Sequence, residues 1–292
     1  MQYHIRLAVT YHYARPATGG RHLLRLLPLH LPGVQEVSQA AVAISPRPAD
    51  RGEFADFFGN RTVEVALTSD HSDIAFTATA RVDRCFPGYG EDSSTPLGEL
   101  EAALTACRSL RGDAPHHFLA ASPRIHPVGE ITAYAREATE GAPTTRAAVE
   151  ALGRALHRDM TFDGSATTVD TPPAEAFAHR HGVCQDFAQI MIAGLRGLGI
   201  PAAYVSGFLR TTPPPGRPRL EGADAMHAWV RAWCGEAQGW VEFDPTNDCL
   251  IGADHVVVAH GRDYGDVAPV SGILRGPGKQ KTRHAVDVIP VQ

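Results

Sequence analysis

The spacing of apolar residues changes period twice along this chain, from strand to helix and back, and those changes limit the possible folds more than any single motif. From Met1 to about Asp83 the apolar positions alternate in short runs, "HIRLAVTYHY", "HLLRLLPLHL", "VQEVSQAAVAISP", "RTVEVALTS" and "DIAFTATARVD", separated by "ATGG", "LPG" and "FGN". Period-two runs between turn signals predict antiparallel strands with one buried face, arranged as a β-sandwich. Behind "FPGYGEDSSTP" the period becomes helical, first in "PLGELEAALTACRSL" after Thr95 and Pro96, then in "TTRAAVEALGRALHRDM" through Ala148, Val149, Leu152 and Leu156. After one more helix the chain returns to strand-like segments, "AAYVSGFL", "MHAWVRAW", "GWVEFD", "HVVVAHG" and "HAVDVIPV", with "TTPPPGRPRL" reading as an exposed Pro-rich loop. An N-terminal β domain over 1–92 and an α+β core over 93–292 are the expected units.

With 292 residues, of which 43% are hydrophobic, the chain can bury a sizeable core. A formal charge of -5 without a Lys/Arg run gives no footprint for nucleic acid, and no uncharged apolar stretch of roughly 18 residues offers a membrane span. "MQYHIRLAVTYHY" reads as a strand, without the basic, apolar and cleavage regions of a secretory signal, so a cytoplasmic location is expected. Five cysteines without CxxC spacing suit neither a disulfide scaffold nor a zinc site. His116, His117, His179 and His181 lack a ligand pattern such as HExxH and read as surface or loop residues. No metal and no cofactor are expected.

In "HRHGVCQDFAQIMIAGLRGLGIPAAYVSGF", Cys184, Phe187, Met191, Leu195 and Leu198 fall on one helical face, with Gly199 as a C-terminal cap and Pro201 as a stop. Cys184 occupies the first turn, where unpaired N–H groups and the helix dipole favour a thiolate. A small apolar residue buried at a helix end fits the same position, and Cys107, mid-helix in "LTACRSL", reads as a buried residue of that kind. Asp186, two residues on, turns away from Cys184 and reads as a first-turn acid with a structural role.

"DAMHAWVRAWCGEAQGWVEFDPTND" reads as a hairpin around "CGEAQG". If Trp233 pairs with Trp240, Trp229 lies opposite Asp244 and His227 is its diagonal neighbour, because paired positions sum to a constant. His227, Trp229, Arg231 and Trp233 then share a face with Trp240, Glu242 and Asp244, while Ala228, Val230, Val241 and Phe243 make the opposite, apolar face. A His-Asp pair in a sheet can simply satisfy itself. Joined to a cysteine at a helix start, it supplies the three parts of a thiol acyl-transfer site, provided the helix packs on the hairpin's polar face. Glu242, Asp224 and Asp248 read as solvated or loop residues, and Arg262, Asp263 and Asp266 as an ion-pair cluster bracing the site.

"GVCQDFAQIMIAGLRGLGIPAAYVSGF", "MHAWVRAW" and "GWVEFDPTN", in that order, resemble the three core motifs of the transglutaminase-like superfamily. "RLLPLHLPGVQEV" and "DFFGN" resemble the N-terminal region of its bacterial two-part members, and "GRDYGDVAPVSGI" their C-terminal motif. The resemblance implies an antiparallel β-sandwich followed by a papain/transglutaminase-like core with helices packed on an antiparallel sheet. It implies Cys184 as nucleophile, His227 as general base and then acid, and Asp244 as the group orienting the imidazole. The backbone N–H of Cys184 is a natural first oxyanion donor, with Gln185 or a hairpin tryptophan as candidates for the second. The expected partner is a protein or peptide whose amide is opened through a thioester, by water in a hydrolase or by an amine in a transferase. No D-x-D-x-D-G loop for calcium is present, and hydrolysis is the default. A non-catalytic binding module is the remaining alternative, and the first domain could select the substrate.

Overall fold

The computed structural model describes residues 1–211, 222, 224–276 and 280–291. Most of the Pro-rich loop at 211–220 therefore lies outside the described residues. Six strands come first: β1 (Gln2–Ala17), β2 (Gly20–Leu24), β3 (Gln35–Ser45), β4 (Asp50–Ala55), β5 (Arg61–Leu67) and β6 (His71–Arg84). Next come α1 (Leu100–Ala106), α2 (Gly129–Ala138), α3 (Thr145–Asp159), β7 (Thr161–Phe162), α4 (Pro173–His179), β8 (His181–Gly182) and α5 (Cys184–Gly197). The chain ends with β9 (Ala202–Leu209), β10 (Ala225–Trp233), β11 (Trp240–Asp244), β12 (Cys249–Leu250), β13 (His255–Gly261), α6 (Tyr264–Val267), β14 (Val270–Leu274) and β15 (Gln280–Pro290).

Two four-stranded antiparallel sheets, β15-β1-β6-β3 and β14-β2-β5-β4, make the sandwich. Tyr3, Ile5, Leu7 and Val9 of β1, with Ile74, Phe76 and Val82 of β6, face Val63, Val65 and Leu67 of β5. This is the alternation legible in the sequence, since successive strand residues point to opposite faces. The last two strands belong to these sheets: β15 pairs with β1 from Tyr3↔Pro290 to Tyr13↔Gln280, and β14 pairs with β2. A division at residue 92 therefore does not follow the sheets. The chain leaves the sandwich after β6, builds the core and returns to finish the sandwich, because β1 and β2 would otherwise each keep an unpaired edge.

The core is a five-stranded sheet, β12-β11-β10-β9-β13, with helices against one face. α5 is held at its C-terminal end by local chemistry. Gly199, just past its C-cap, takes φ +79 and lets the chain turn into β9. Arg196 in the last turn donates to the carbonyls of Ala202 (2.9 Å), Arg262 (2.6 Å) and Ala120 (3.2 Å). Helix α3, capped by Thr144, packs Gly153 against the Phe243 ring so closely that no Cβ fits there. Cys107, read as mid-helix, is instead the residue that ends α1, and it is half-buried.

Two side-chain amides join sandwich and core. Gln35 is fully buried, donates to the carbonyls of Leu29 (2.7 Å) and Val257 (2.8 Å), and accepts from Val257 N–H (2.9 Å). Asn60 does the same for His260, donating to its carbonyl (2.7 Å) and accepting from its N–H (2.8 Å). β13 is an edge strand, and these amides replace the strand that would otherwise complete its ladder.

Candidate active site

The hairpin register is the one the sequence implies: Trp233↔Trp240, Arg231↔Glu242 and Val230↔Phe243. Trp229 and Glu242 share a face, and Trp229 Nε1 donates to Glu242 Oε2 at 2.6 Å. On the other face Ala228, Val230, Ala232, Val241 and Phe243 join the helices in one apolar cluster. The structure corrects the expected docking here. α5 lies on the apolar face, since burying its apolar side there removes far more nonpolar surface from water than the polar face could. Its N-terminal end still brings Cys184 beside His227.

Cys184 is the first residue of α5, behind the N-cap Val183, and is half-buried. Asp186 turns back on the cap, its Oδ2 accepting from Val183 N–H (2.8 Å) and Thr167 Oγ1 (2.6 Å). Burial nevertheless raises its pKa, and its geometry is that of a structural first-turn acid. Gln185 donates to the Val169 carbonyl (3.1 Å) and keeps one further amide hydrogen. Of the tryptophans, Trp229 spends its N–H on Glu242 and Trp240 on the Asp113 carbonyl (3.2 Å).

His227 is buried, and its Nε2 lies 2.7 Å from Asp244 Oδ2. Opposite it on β9 stands Gly207, where a Cβ would strike the Trp229 ring and the Val256 carbonyl. Burial disfavours the imidazolium, but the hydrogen bond to Asp244 and the neighbouring Cys184 thiol outweigh it and push the pKa up to about 10. With Nε2 committed to Asp244, Nδ1 is the nitrogen left to serve the thiol.

Asp244 is fully buried and surrounded by donors. Oδ2 accepts from His227, from Asn247 Nδ2 (2.7 Å) and from His255 Nε2 (3.1 Å), while Oδ1 accepts from the N–H groups of Thr246 (2.9 Å) and Asn247 (3.2 Å). Burial alone would raise its pKa, but these bonds hold it well below the carboxylate range. His255 and Asn247 are site residues that the sequence reading missed. The "DPTN" turn carried a signal for Asn247, since Asp and Asn three apart commonly bond within one turn.

His227, Asp244 and His255 present ligand-type atoms within 4.8 Å of one another. His255 Nδ1 accepts from Gly252 N–H at 3.4 Å, which puts the ring proton on Nε2, facing Asp244. As placed, the group is a donor-acceptor chain rather than a set of converging lone pairs. Glu242 and Asp224, read as solvated or loop residues, are buried, at 9% and 5% exposure, Glu242 within β11 and Asp224 just before β10. Asp224 Oδ1 accepts from Thr211 N–H (2.8 Å) and Oδ2 from Val288 N–H (2.6 Å), tying the core to β15. Asp248 lies in the turn after β11, as read. Arg262 grips Asp266 through Nε (2.8 Å) and Nη2 (3.0 Å), and Asp263 caps α6 at Gly265 N–H (2.8 Å).

A helix-start thiol, a strand imidazole and a neighbouring carboxylate on an antiparallel sheet define the papain/transglutaminase-like class of fold. The chain belongs to the transglutaminase-like superfamily, in its bacterial two-part form. Residues 132–245 match the Transglutaminase-like superfamily and residues 3–83 the Bacterial transglutaminase-like N-terminal region. An uncharacterized protein of Mycobacterium tuberculosis is 38% identical over 260 residues, covering 86% of this chain and 81% of that one. An uncharacterized protein of Mycobacterium leprae is 31% identical over 276 residues, covering 92% and 91%. A Pseudomonas aeruginosa protein-glutamine gamma-glutamyltransferase is 35% identical over 105 residues, covering 33% of this chain and 16% of that one. Among solved structures, a protein from Cytophaga hutchinsonii described as a candidate cysteine protease superposes with TM-score 0.69 at 20% identity, covering 100% of this chain and 92% of that one.

Proposed function

We propose that this protein is a thiol enzyme that opens a peptide or isopeptide amide through a thioester on Cys184. The observation that carries this reading is the line of three groups: Cys184 beside His227, and His227 Nε2 2.7 Å from Asp244. His227 takes the thiol proton through Nδ1, Cys184 attacks the carbonyl, and Asp244 balances the imidazolium. The imidazolium then returns its proton to the leaving amine, and water releases the acyl group from the thioester. The Cys184 N–H at the helix start is a fitting oxyanion donor, with the spare hydrogen of Gln185 as the second. The substrate is a protein or peptide rather than nucleic acid, in keeping with the charge of -5. Five free cysteines suit a reducing compartment, and we assign the protein to the cytoplasm on that basis.

Transfer of a glutamine acyl group to an amine is the second reading, favoured by the name of the Pseudomonas relative. One experiment separates the two: incubation with peptides carrying Gln, Lys isopeptides and backbone amides, with and without a labelled primary amine, followed by mass. Hydrolysis adds water at a cleaved amide, transfer adds the amine at glutamine, and both must vanish in Cys184→Ala. Turnover that survives Cys184→Ala would end the proposal.

A further inference from the structure

On the sheet face away from the helices, a cavity of about 300 Å³ lies between the core sheet and the segments around Leu31 and Arg84. Its polar lining is unfinished. Arg84 is 2% exposed; its Nη1 donates to the Val34 carbonyl at 3.3 Å, but Nε and Nη2 find no acceptor among the described residues. Those two atoms form one edge of the guanidinium, the edge that grips two oxygens side by side. His260 is in the same condition. Arg231 Nη1 donates to its Nδ1 at 3.3 Å, so its proton sits on Nε2, which is buried and without a partner, as is Arg231 Nε.

Glu242 is the one carboxylate among the described lining residues, and it does not serve these donors. Its Oε2 is held by Trp229, and Oε1 stands 3.9 Å from Arg231 Nε and 3.8 Å from His260 Nε2, too far for a hydrogen bond. Burial, reinforced by Arg231, pushes the His260 pKa well below its usual value, so the ring is neutral. Two guanidiniums and one carboxylate leave a single positive charge. Apart from the Tyr89 hydroxyl, which accepts from Glu242 N–H at 2.8 Å, the rest of the wall is apolar, with Leu31, Val34, Phe86 and Ile251.

We propose that this cavity binds a monocarboxylate on an apolar stem, its two oxygens on the Nε/Nη2 edge of Arg84. Arg231 Nε and His260 Nε2 supply further donors, and the stem lies against the apolar wall. A dianion such as phosphate is opposed by Glu242, and a neutral amide offers one oxygen where the Arg84 edge asks for two. Trp229 separates this site from Cys184: its N–H is bonded to Glu242, and its ring lies 5.2 Å from that of His255. The proposal does not depend on the thiol chemistry.

A free carboxylic acid and a peptide C-terminus share this chemistry, and calorimetry on the full chain distinguishes them. The probes are phenylacetate, N-acetylphenylalanine, N-acetylphenylalanine amide and inorganic phosphate. One of the two acids binds, the better one naming the source, and the amide binds at least about ten-fold more weakly. Arg84→Lys keeps the charge but removes the fork, and it weakens the acid by about ten-fold while circular dichroism and unfolding show an intact fold. Should Arg84→Lys not fold, Arg231→Lys carries the same expectation. The proposal is overturned if neither acid binds at millimolar concentration, if acid and amide bind alike, if phosphate binds more tightly, or if the folded variant keeps its affinity.

Discussion

Replacing Asp244 with asparagine puts an NH2 group where every neighbour is a donor. The backbone N–H groups of Thr246 and Asn247 hold the new amide's oxygen at the Oδ1 position, so its NH2 must face His227, His255 and Asn247. His227 can relieve the conflict only by moving its proton from Nε2 to Nδ1. The nitrogen serving Cys184 then carries a proton and cannot accept one. His255 can relieve it only by giving up its bond from Gly252 N–H. Each of the three side-chain bonds to the charged acceptor is worth about 1.5–3 kcal/mol, and two are partly recovered by tautomer change, so the stability loss is about 2–4 kcal/mol. The same tautomer defect in a serine protease triad costs roughly ten-thousand-fold in rate, and a loss on the order of a thousand-fold or more is expected here. Two readouts are needed: alkylation of Cys184 by limiting iodoacetamide at neutral pH, mapped by mass, and turnover on the peptide found by the amide screen. Thermal unfolding of the same samples reports the fold. A folded variant with normal alkylation and turnover would refute the reasoning, and a variant that only unfolds would make Asp244 structural.

Cys184 should be the only cysteine whose alkylation abolishes turnover, since burial pushes the Cys249 thiol up to about 11 and raises that of Cys234 further; loss of activity in step with labelling of Cys107 or Cys249 would count against it. The His227–Asp244 pair should also stabilise the fold in a pH-dependent way. The raised His227 pKa makes its contribution full below about pH 6.5 and lost as pH rises toward 10, and the depressed Asp244 pKa makes its own contribution full above about pH 4 and lost in acid. The urea midpoint gap between wild type and His227→Gln should therefore shrink from pH 6 to pH 10, and a constant gap would contradict the pairing. Gln35→Ala strands the Val257 N–H and should cost about 2–5 kcal/mol in urea unfolding, whereas the exposed Gln39→Ala should stay within about 0.5 kcal/mol. Gly153→Ala should cost about 1–3 kcal/mol by driving a methyl into Phe243, and an unchanged midpoint would show that α3 shifts freely on β11.

What was legible in the sequence was what local periodicity encodes. The helix face of Cys184, the hairpin register that sets Trp233 against Trp240, and the alternating strands of the sandwich all depend on neighbours within about twenty residues. His255 was missed because β13 pairs with β9 at the far side of the sheet from β11, and no nearby pattern links it to Asp244. β15 was strand-like in sequence and β14 was quoted only within a motif, but the partners of both lie some two hundred residues upstream or more, where alternation names no partner. Glu242 and Asp224 were misread for one reason. A carboxylate is assumed to be wet until its donors are known, and the Trp229 N–H and the Val288 N–H come from other strands.

The return of β14 and β15 to the sandwich bears on how the chain folds during synthesis. While a ribosome is still making the core, β1 and β2 already exist but their outer partners do not, so both sheets wait with open edges. The core sheet, α2, α3 and α5 are contiguous in sequence and can settle first, while the strands made earliest are sealed by those made last. Val291 N–H then donates to the Gln2 carbonyl at 2.8 Å, carrying the β15–β1 pairing one residue past the strand.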